Sequence, residues 1–182
     1  MLDYSKNDEK LKPFVNHFPI LENFKKQMVE KKSHLLDRIV LVDVLNKQNS
    51  SLSLSKKSKS NIDSLKENST FTVTTGHQLC LFTGPLYFIY KIISTINLAE
   101  QLQAKYPNNN FVPVFWMASE DHDFQEINHI NLFGKKIVWE SKQSGPVGRM
   151  NLNGFEKLLK ELKSVLGNSK NSDKLIALFE KS

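Results

Sequence analysis

The stretch FTVTTGHQLCLFTGPLYFIYKIISTINLAEQLQAKYPNNNFVPVFWMA, residues 71–118, decides the fold. Phe71-Thr72-Val73-Thr74-Thr75 is rich in β-branched and aromatic residues and stops at Gly76, which reads as a strand. Gly84-Pro85 can start a helix, because proline suits the first turn, where its missing N–H costs nothing. Ile89, Ile92, Ile93, Ile96, Ala99, Leu102 and Tyr106 then make one continuous apolar stripe, and Pro107 with three asparagines ends it. Phe111 to Ala118 is apolar without alternation, the pattern of a strand covered on both faces of a parallel sheet. Pro113 has no N–H, so it belongs near the start of that strand or where no ladder bond is required. Strand, helix and apolar strand in succession form a βαβ unit with a right-handed crossover. The fold class is α/β.

Working outward, residues 19–46 read as one long amphipathic helix, with Ile20, Leu21, Phe24, Met28, Leu35, Leu36, Ile39, Val42 and Val44 at mostly helical spacing. The polar tract from Asn46 to Ser60 reads as a linker, followed by a short helix capped by Ser60 or Asn61 with Leu65 facing inward. On the other side, Asn128 to Phe133 and Lys136 to Glu140 flank Gly134-Lys135, which suggests a hairpin with glycine first in the turn. Residues 154–182 return to lysine-rich helix, broken at Gly167-Asn168. Two parallel strands and one hairpin make a poor sheet by themselves, because a parallel strand buried on both faces needs neighbours. The expectation is a parallel sheet incomplete in this chain, with apolar surface exposed on one side of its core.

Composition fits a globular protein: 182 residues, 40% hydrophobic and 24% charged. The longest apolar run, Phe111 to Ala118, has only strand length, and Asp3, Asp8 and Glu9 precede any apolar stretch, which is wrong for a secretory signal. Cys80 is the one cysteine, so an internal disulfide framework and a multi-cysteine zinc site are both excluded. The expected compartment is a reducing cytoplasm. The net charge of +6 comes from Lys25-Lys26, Lys31-Lys32, the lysines of 56–59 and the 157–170 stretch. These read as solvated helix faces rather than a nucleic-acid surface, since no zinc-finger spacing or RNP-type aromatic motif accompanies them.

Two segments carry chemistry. Thr75-Gly76-His77-Gln78 through Thr83-Gly84-Pro85 lies between a strand's carboxyl end and a helix's start, where open α/β sheets bind ligands. Gly76 and Gly84 let backbone approach a ligand closely, and the helix N-terminus near Gly84 suits a phosphate or carboxylate. The pattern is neither Walker A nor GxGxxG, and ordinary turn chemistry would also use these glycines. Glu120-Asp121-His122-Asp123 follows the apolar strand at the same sheet edge. Three carboxylates and an imidazole in four residues are compatible with general acid/base work, ammonium binding and metal ligation, while helix capping is the plain alternative. His129 stands at i+7 from His122. Lys91 lies in the same helical stripe as Tyr87 and Thr95, where it could reach an anion or stay solvated. Gly145-Pro146-Val147-Gly148-Arg149 is a turn-rich loop whose arginine suits a carboxylate or phosphate. Cys80, between Leu79 and Leu81, reads as a buried small hydrophobe rather than a nucleophile.

Together these segments resemble the cysteine-adding enzyme family of bacillithiol biosynthesis. The family pattern is Thr-Gly-(Gln/His)-Gln, then Leu-Phe-x-Gly-Pro-Leu-Tyr with a following Lys, then Pro-Val-Phe-Trp-Met-Ala-x-Glu-Asp-His-Asp-Phe with Asn-His, then Gly-x-Val-Gly-Arg. In this chain it is carried by Thr75 to Gln78, Leu81 to Tyr87 with Lys91, Pro113 to Phe124 with Asn128-His129, and Gly145 to Arg149. The match covers residues 70–150, and the N-terminal helical region matches only loosely. The resemblance implies a Rossmann-like core related to class I aminoacyl-tRNA synthetases, with connective insertions and a coiled coil in family members much longer than this chain. It divides the chain into a helical region with linker (1–67), the first half of the core (68–150) and the helical start of an insertion (151–182).

It also implies ligation of cysteine to glucosaminyl malate, the last step of bacillithiol synthesis, with ATP as cofactor. Glu120, Asp121, His122 and Asp123 would be catalytic, and no metal ligand is assigned. Gly76, His77, Gln78, Gly84, Pro85, Tyr87, Lys91, His129 and Arg149 would bind substrate or nucleotide. The implied partners are the two small molecules, with a homodimer allowed for the full-length protein and neither membrane nor nucleic acid. The rival reading is a non-catalytic fragment that keeps only a binding or regulatory half-site. Both motifs should border one cleft at the carboxyl ends of the two parallel strands.

Overall fold

A computed structural model of the chain describes residues 2–181. In chain order the elements are α1 (Leu2–Ser5), α2 (Phe24–Lys31), α3 (Arg38–Gln48), α4 (Lys56–Ser64), β1 (Thr70–His77), α5 (Leu86–Lys105), β2 (Asn110–Met117), α6 (Phe124–Ile127), β3 (His129–Leu132), β4 (Lys135–Val138), α7 (Phe155–Leu166) and α8 (Lys170–Phe179). Short 3₁₀ turns occupy Glu9–Phe14, Leu81–Thr83 and Val147–Arg149. The chain forms two compact units. The first holds residues up to Val73 with Leu98–Pro113, and the second holds Thr74–Asn97 with the residues from Val114 onward.

The β1–α5–β2 unit is present as expected. β1 pairs with β2 alone. Asn110 N–H donates to the Ser69 carbonyl and Ala118 N–H to the His77 carbonyl, each at 3.0 Å, and the equal sequence offset makes the strands parallel. β1 runs through Gly76 to His77 rather than stopping at the glycine.

In the first unit, Met28, Ala99, Leu102 and Phe111 form the buried core, with Leu21, Phe24, Phe71, Val73, Leu98 and Tyr106 packed around it. The expected single helix over 19–46 is two helices. Ser33 Oγ bonds the Glu30 carbonyl at 2.7 Å as α2 ends, and Asp37 then caps a new start by accepting from Val40 N–H at 3.0 Å. Arg38, first residue of α3, donates to the carbonyls of Leu65 at 2.9 Å and Thr70 at 3.2 Å, tying the helix to the turn that enters β1. α4 begins inside the supposed linker, because Ser55 rather than Ser60 or Asn61 supplies the cap, to Ser58 N–H at 3.0 Å. Leu65 is buried, as expected.

The second unit is built on the β3–β4 hairpin and the two C-terminal helices. Leu81, Phe82, Ile137, Trp139, Leu158, Leu162 and Ile176 share its core. The hairpin pairs Leu132 with Lys135, so its two-residue turn is Phe133-Gly134, one position earlier than the sequence suggested. Both turn residues have positive φ, 50° and 77°, as a type I′ turn requires; glycine takes the second place and Phe133 bears the strain. The break between α7 and α8 falls at Gly167, as expected.

The apolar stripe of α5 divides. Ala99 and Leu102 are buried in the first unit, whereas Leu86, Ile89, Tyr90, Ile93 and Ile96 in the second are exposed. β2 behaves likewise: Phe111 and Val112 are buried, but Trp116 and Met117 are exposed. The unbroken run therefore misreported two-sided cover for the second half of β2, which has β1 as its one neighbour among the described residues. The exposed apolar surface anticipated for an incomplete sheet is present.

Ile137 is fully buried between the hairpin and the helices, while Val138 points outward. Ile137→Ala should cost about 2–5 kcal/mol in a denaturant melt through lost burial and a residual cavity. Val138→Ala should cost under about 1 kcal/mol. Equal losses at both positions would contradict this two-residue alternation.

Candidate functional site

The site lies in the second unit and starts from a close strand pairing. With Ala118 N–H on the His77 carbonyl, the segments after β1 and β2 leave the sheet at one edge. Gly76 permits the approach: a Cβ there would sit 2.9 Å from the Trp116 carbonyl oxygen and 3.0 Å from Trp116 Cβ. Lys91 donates from its ammonium to the Gly76 carbonyl, holding the first turns of α5 against the end of β1. Its charge serves the backbone here.

His77 is the hub of the first motif. Its Nδ1 lies 3.2 Å from the Gln78 carbonyl and 3.3 Å from Cys80 Sγ, and its Nε2 lies 2.6 Å from Tyr87 Oη. A carbonyl oxygen only accepts, so the tautomer that satisfies it carries the proton on Nδ1 and accepts the Tyr87 hydroxyl at Nε2. The ring also packs against Tyr87 and, edge-on, against Phe88. Between Cys80 and α5 the chain passes through three consecutive positive-φ residues, Phe82 at 47°, Thr83 at 72° and Gly84 at 63°. At Gly84 a Cβ would meet Cys80 Cβ at 2.5 Å. The glycine therefore serves close packing on Cys80, and Pro85 follows it into α5.

The acidic motif is a built loop. Asp121 Oδ1 accepts from the backbone N–H of His122 at 2.6 Å and of Asp123 at 3.2 Å. Asp123 Oδ1 caps α6 by accepting from Glu126 N–H at 3.1 Å, and Trp116 Nε1 donates to Glu120 at 3.3 Å. All four residues, Glu120 to Asp123, are exposed. The turn carrying Arg149 docks beneath them. Val147 N–H donates to the Asp121 carbonyl at 2.8 Å and Gly148 N–H to the Ser119 carbonyl at 2.9 Å, and a Cβ on Gly148 would clash with Ser119 Cβ at 2.5 Å. Arg149 itself is exposed. His129 opens β3 with Nδ1 3.2 Å from both the Gln125 carbonyl and Asn128 Oδ1, which ties it to the backbone.

The residue that joins the two motifs is Glu126, which sequence reasoning missed. Its carboxylate accepts from Gln78 Nε2, and its other oxygen lies 3.9 Å from His77 Nε2. The available signal was the Asp123-x-x-Glu126 spacing of a capping box, in which the second acid normally turns back to the cap residue's N–H. Here Asp121 takes the Asp123 N–H instead, leaving the Glu126 carboxylate free to reach Gln78. Its charge is felt nearby. Burial and then Glu126 push the Cys80 thiol above its ordinary range against an opposing pull from Lys91, and the Tyr87 hydroxyl is raised by desolvation, Glu126 and Cys80 in turn. Among the described residues no group of three or more His, Cys, Asp or Glu side chains is placed to hold a metal ion, and no helix is long and apolar enough to cross a membrane.

The family model for the N-terminal Rossmann-like domain of bacillithiol biosynthesis BshC matches residues 1–182, and the chain belongs to this family. Proteins named "Putative cysteine ligase BshC" are 52% identical over 180 residues in Flavobacterium johnsoniae, covering 98% of this chain and 34% of that protein. The corresponding protein of Christiangramia forsetii is 48% identical over 188 residues, covering 100% and 35%. That of Bacillus cytotoxicus is 34% identical over 146 residues, covering 78% and 27%. The chain thus spans about a third of the length of the curated relatives it matches most fully.

The raised Cys80 thiol gives a pH test. A thiol that titrates higher folded than unfolded contributes stability that is intact below the ordinary thiol range and lost as pH climbs through the folded value. At pH 8 iodoacetamide should modify Cys80 more slowly in the folded protein than in denaturant. Glu126→Gln removes one upward push and should speed the folded reaction. Equal folded and unfolded rates would show an unperturbed thiol.

Proposed function

We propose that this chain is the substrate-binding part of a ligase that joins cysteine to glucosaminyl malate with ATP, the last step of bacillithiol synthesis. A cysteine carboxylate oxygen would attack a phosphorus of ATP, the new acyl–phosphate bond forming as a phosphoanhydride P–O bond breaks and the rest of the nucleotide phosphate chain (ADP or pyrophosphate) leaves. The sugar amine then attacks the acyl carbon, forming the C–N bond as the phosphoryl group departs with the carboxylate oxygen, and the amine's proton passes to a base. Small-molecule partners, a cytoplasmic location and a homodimer of the complete protein accompany this reading through the family resemblance.

The observation that carries the reading is the convergence of the two motifs at one sheet edge, through His77 on Ala118 and Gln78 on Glu126. Donor chemistry and acceptor chemistry lie side by side there. The first turn of α5 contains no acidic residue, so its positive end fits an anionic oxygen of nucleotide or carboxylate beyond Gly84-Pro85. The exposed carboxylates of Glu120, Asp121 and Asp123 suit a cation or an amine that must lose a proton, and His122 beside them can relay it.

The complete gene product containing this chain, given cysteine, glucosaminyl malate and ATP, should form the amide by mass spectrometry, and omission of ATP should abolish product. No product under either condition would remove the ligase reading. Asp121 and Asp123 allow a sharper test, because their caps use only a side-chain oxygen that asparagine also possesses. Asp121→Asn or Asp123→Asn should keep the melting temperature while cutting turnover about a hundredfold or more at whichever acid is the base. Undiminished turnover in both variants would confine these acids to loop building.

A further inference from the structure

Gln78 is 7% exposed, and only half of its amide is used. Nε2 donates to Glu126, and that partner fixes which end of the amide is which, since a carboxylate can only accept. Oε1 is then a buried acceptor, and it makes no hydrogen bond among the described residues. Such an atom is a standing cost to folding, and native proteins keep it where a ligand or a trapped water supplies the missing donor. Glu126 is under-used in the same way. Asp121 has relieved it of its capping duty, its side chain is 47% exposed, and its second oxygen is 3.9 Å from its nearest cationic-capable neighbour, His77 Nε2. One negative charge and two free acceptor positions therefore stand next to each other, joined by the Gln78–Glu126 bond.

We propose that Gln78 and Glu126 form a seat for a primary ammonium group, and that its occupant is the ammonium of the amino acid whose carboxylate is activated. An ammonium brings three N–H donors and a positive charge, which matches a carboxylate with an adjoining amide oxygen. Glu126 is the half-exposed member of the pair and Gln78 the buried one, so an arriving cation meets the carboxylate first.

The identity of the occupant rests on the ligase reading, and the seat itself does not. A seat that holds its amine as the ammonium suits the amine that must stay unreactive during activation, whereas the attacking sugar amine has to lose its proton. Such a seat can hold the ammonium of cysteine, directing that molecule's carboxylate toward the activating chemistry and preventing cysteine from attacking a second activated cysteine. The seat also separates the two amines, leaving the nucleophile to the exposed acids of 120–123.

Titration calorimetry and thermal melts of the complete gene product test this with three probes: L-cysteine, cysteamine, which keeps the ammonium but lacks the carboxylate, and 3-mercaptopropionate, which has the reverse. Cysteine and cysteamine should bind, and 3-mercaptopropionate should bind about tenfold or more weakly. Gln78→Met and Glu126→Gln should each weaken cysteamine about tenfold or more. Tight 3-mercaptopropionate with absent cysteamine binding would overturn the seat, as would cysteamine affinity unchanged in both variants, the result expected if a trapped water alone satisfies Oε1. Cysteamine binding that depends on both residues, without any ligation product, would sink the ligase reading and leave the seat standing.

Discussion

Phe82 is buried against the rings of Phe155 and Phe179, and this packing holds the segment from His77 to Tyr87 in its working shape. The backbone at Phe82 and Thr83 is left-handed, a conformation that costs a non-glycine residue on the order of 1–3 kcal/mol. Full burial of a phenylalanine side chain returns about 1.5–3 kcal/mol, so the ring offsets the strain of roughly one such residue. If the ring left its pocket, the loop would relax, Gly84 would lose its contact with Cys80, and Cys80 would lose its place beside His77 Nδ1. The histidine would then keep Tyr87, Phe88 and the Gln78 carbonyl but lose the thiol beside Nδ1. The C-terminal helices therefore help to position the first motif, although they lie seventy or more residues from it in sequence, a separation of roughly the length of a small domain.

The acids divide by task. Asp121 and Asp123 each spend an oxygen on backbone N–H groups, and a carboxylate so used is held in place without being consumed, since it has further lone pairs to offer. Glu126 makes its contact with a side chain of the other motif, and its field reaches Cys80 and Tyr87. That single substitution of partner, Asp121 for Glu126 at the Asp123 N–H, converts a routine helix start into a junction between two loops.

The β1–α5–β2 unit was legible because its cues are local: β-branched residues, a proline at a helix start, and an apolar run after it. The division of residues 19–46 was not, because the periodicity crosses the break and only the Asp37 cap announces the second helix. The hairpin was visible and its turn was off by one, since Phe133 is an unusual occupant of a positive-φ position and gives no warning of it. At the site, the motif residues were found from composition and spacing, yet two of their reasons were hidden. Gly76 and Gly84 read as openings for a ligand, whereas Trp116 and Cys80 fill the space a Cβ would need. Glu126 was invisible as a site residue because its role depends on contact with Gln78, 48 positions away.

The unpaired Oε1 of Gln78 bears on how such a loop survives. Strain at Phe82 and Thr83 and an unsatisfied buried acceptor at Gln78 fall within six residues of one another, and each is unfavourable to folding. A domain whose whole stability is about 5–15 kcal/mol tolerates that concentration only where other packing over-determines the segment. Here the packing is present on both sides: Leu81 and Phe82 enter the core of the second unit, while Lys91 holds the Gly76 carbonyl from α5. Rigid anchors flanking an unsatisfied polar atom are the arrangement of a site organised before its ligand arrives, because the cost of placing the acceptor is met during folding and a bound donor recovers it on binding.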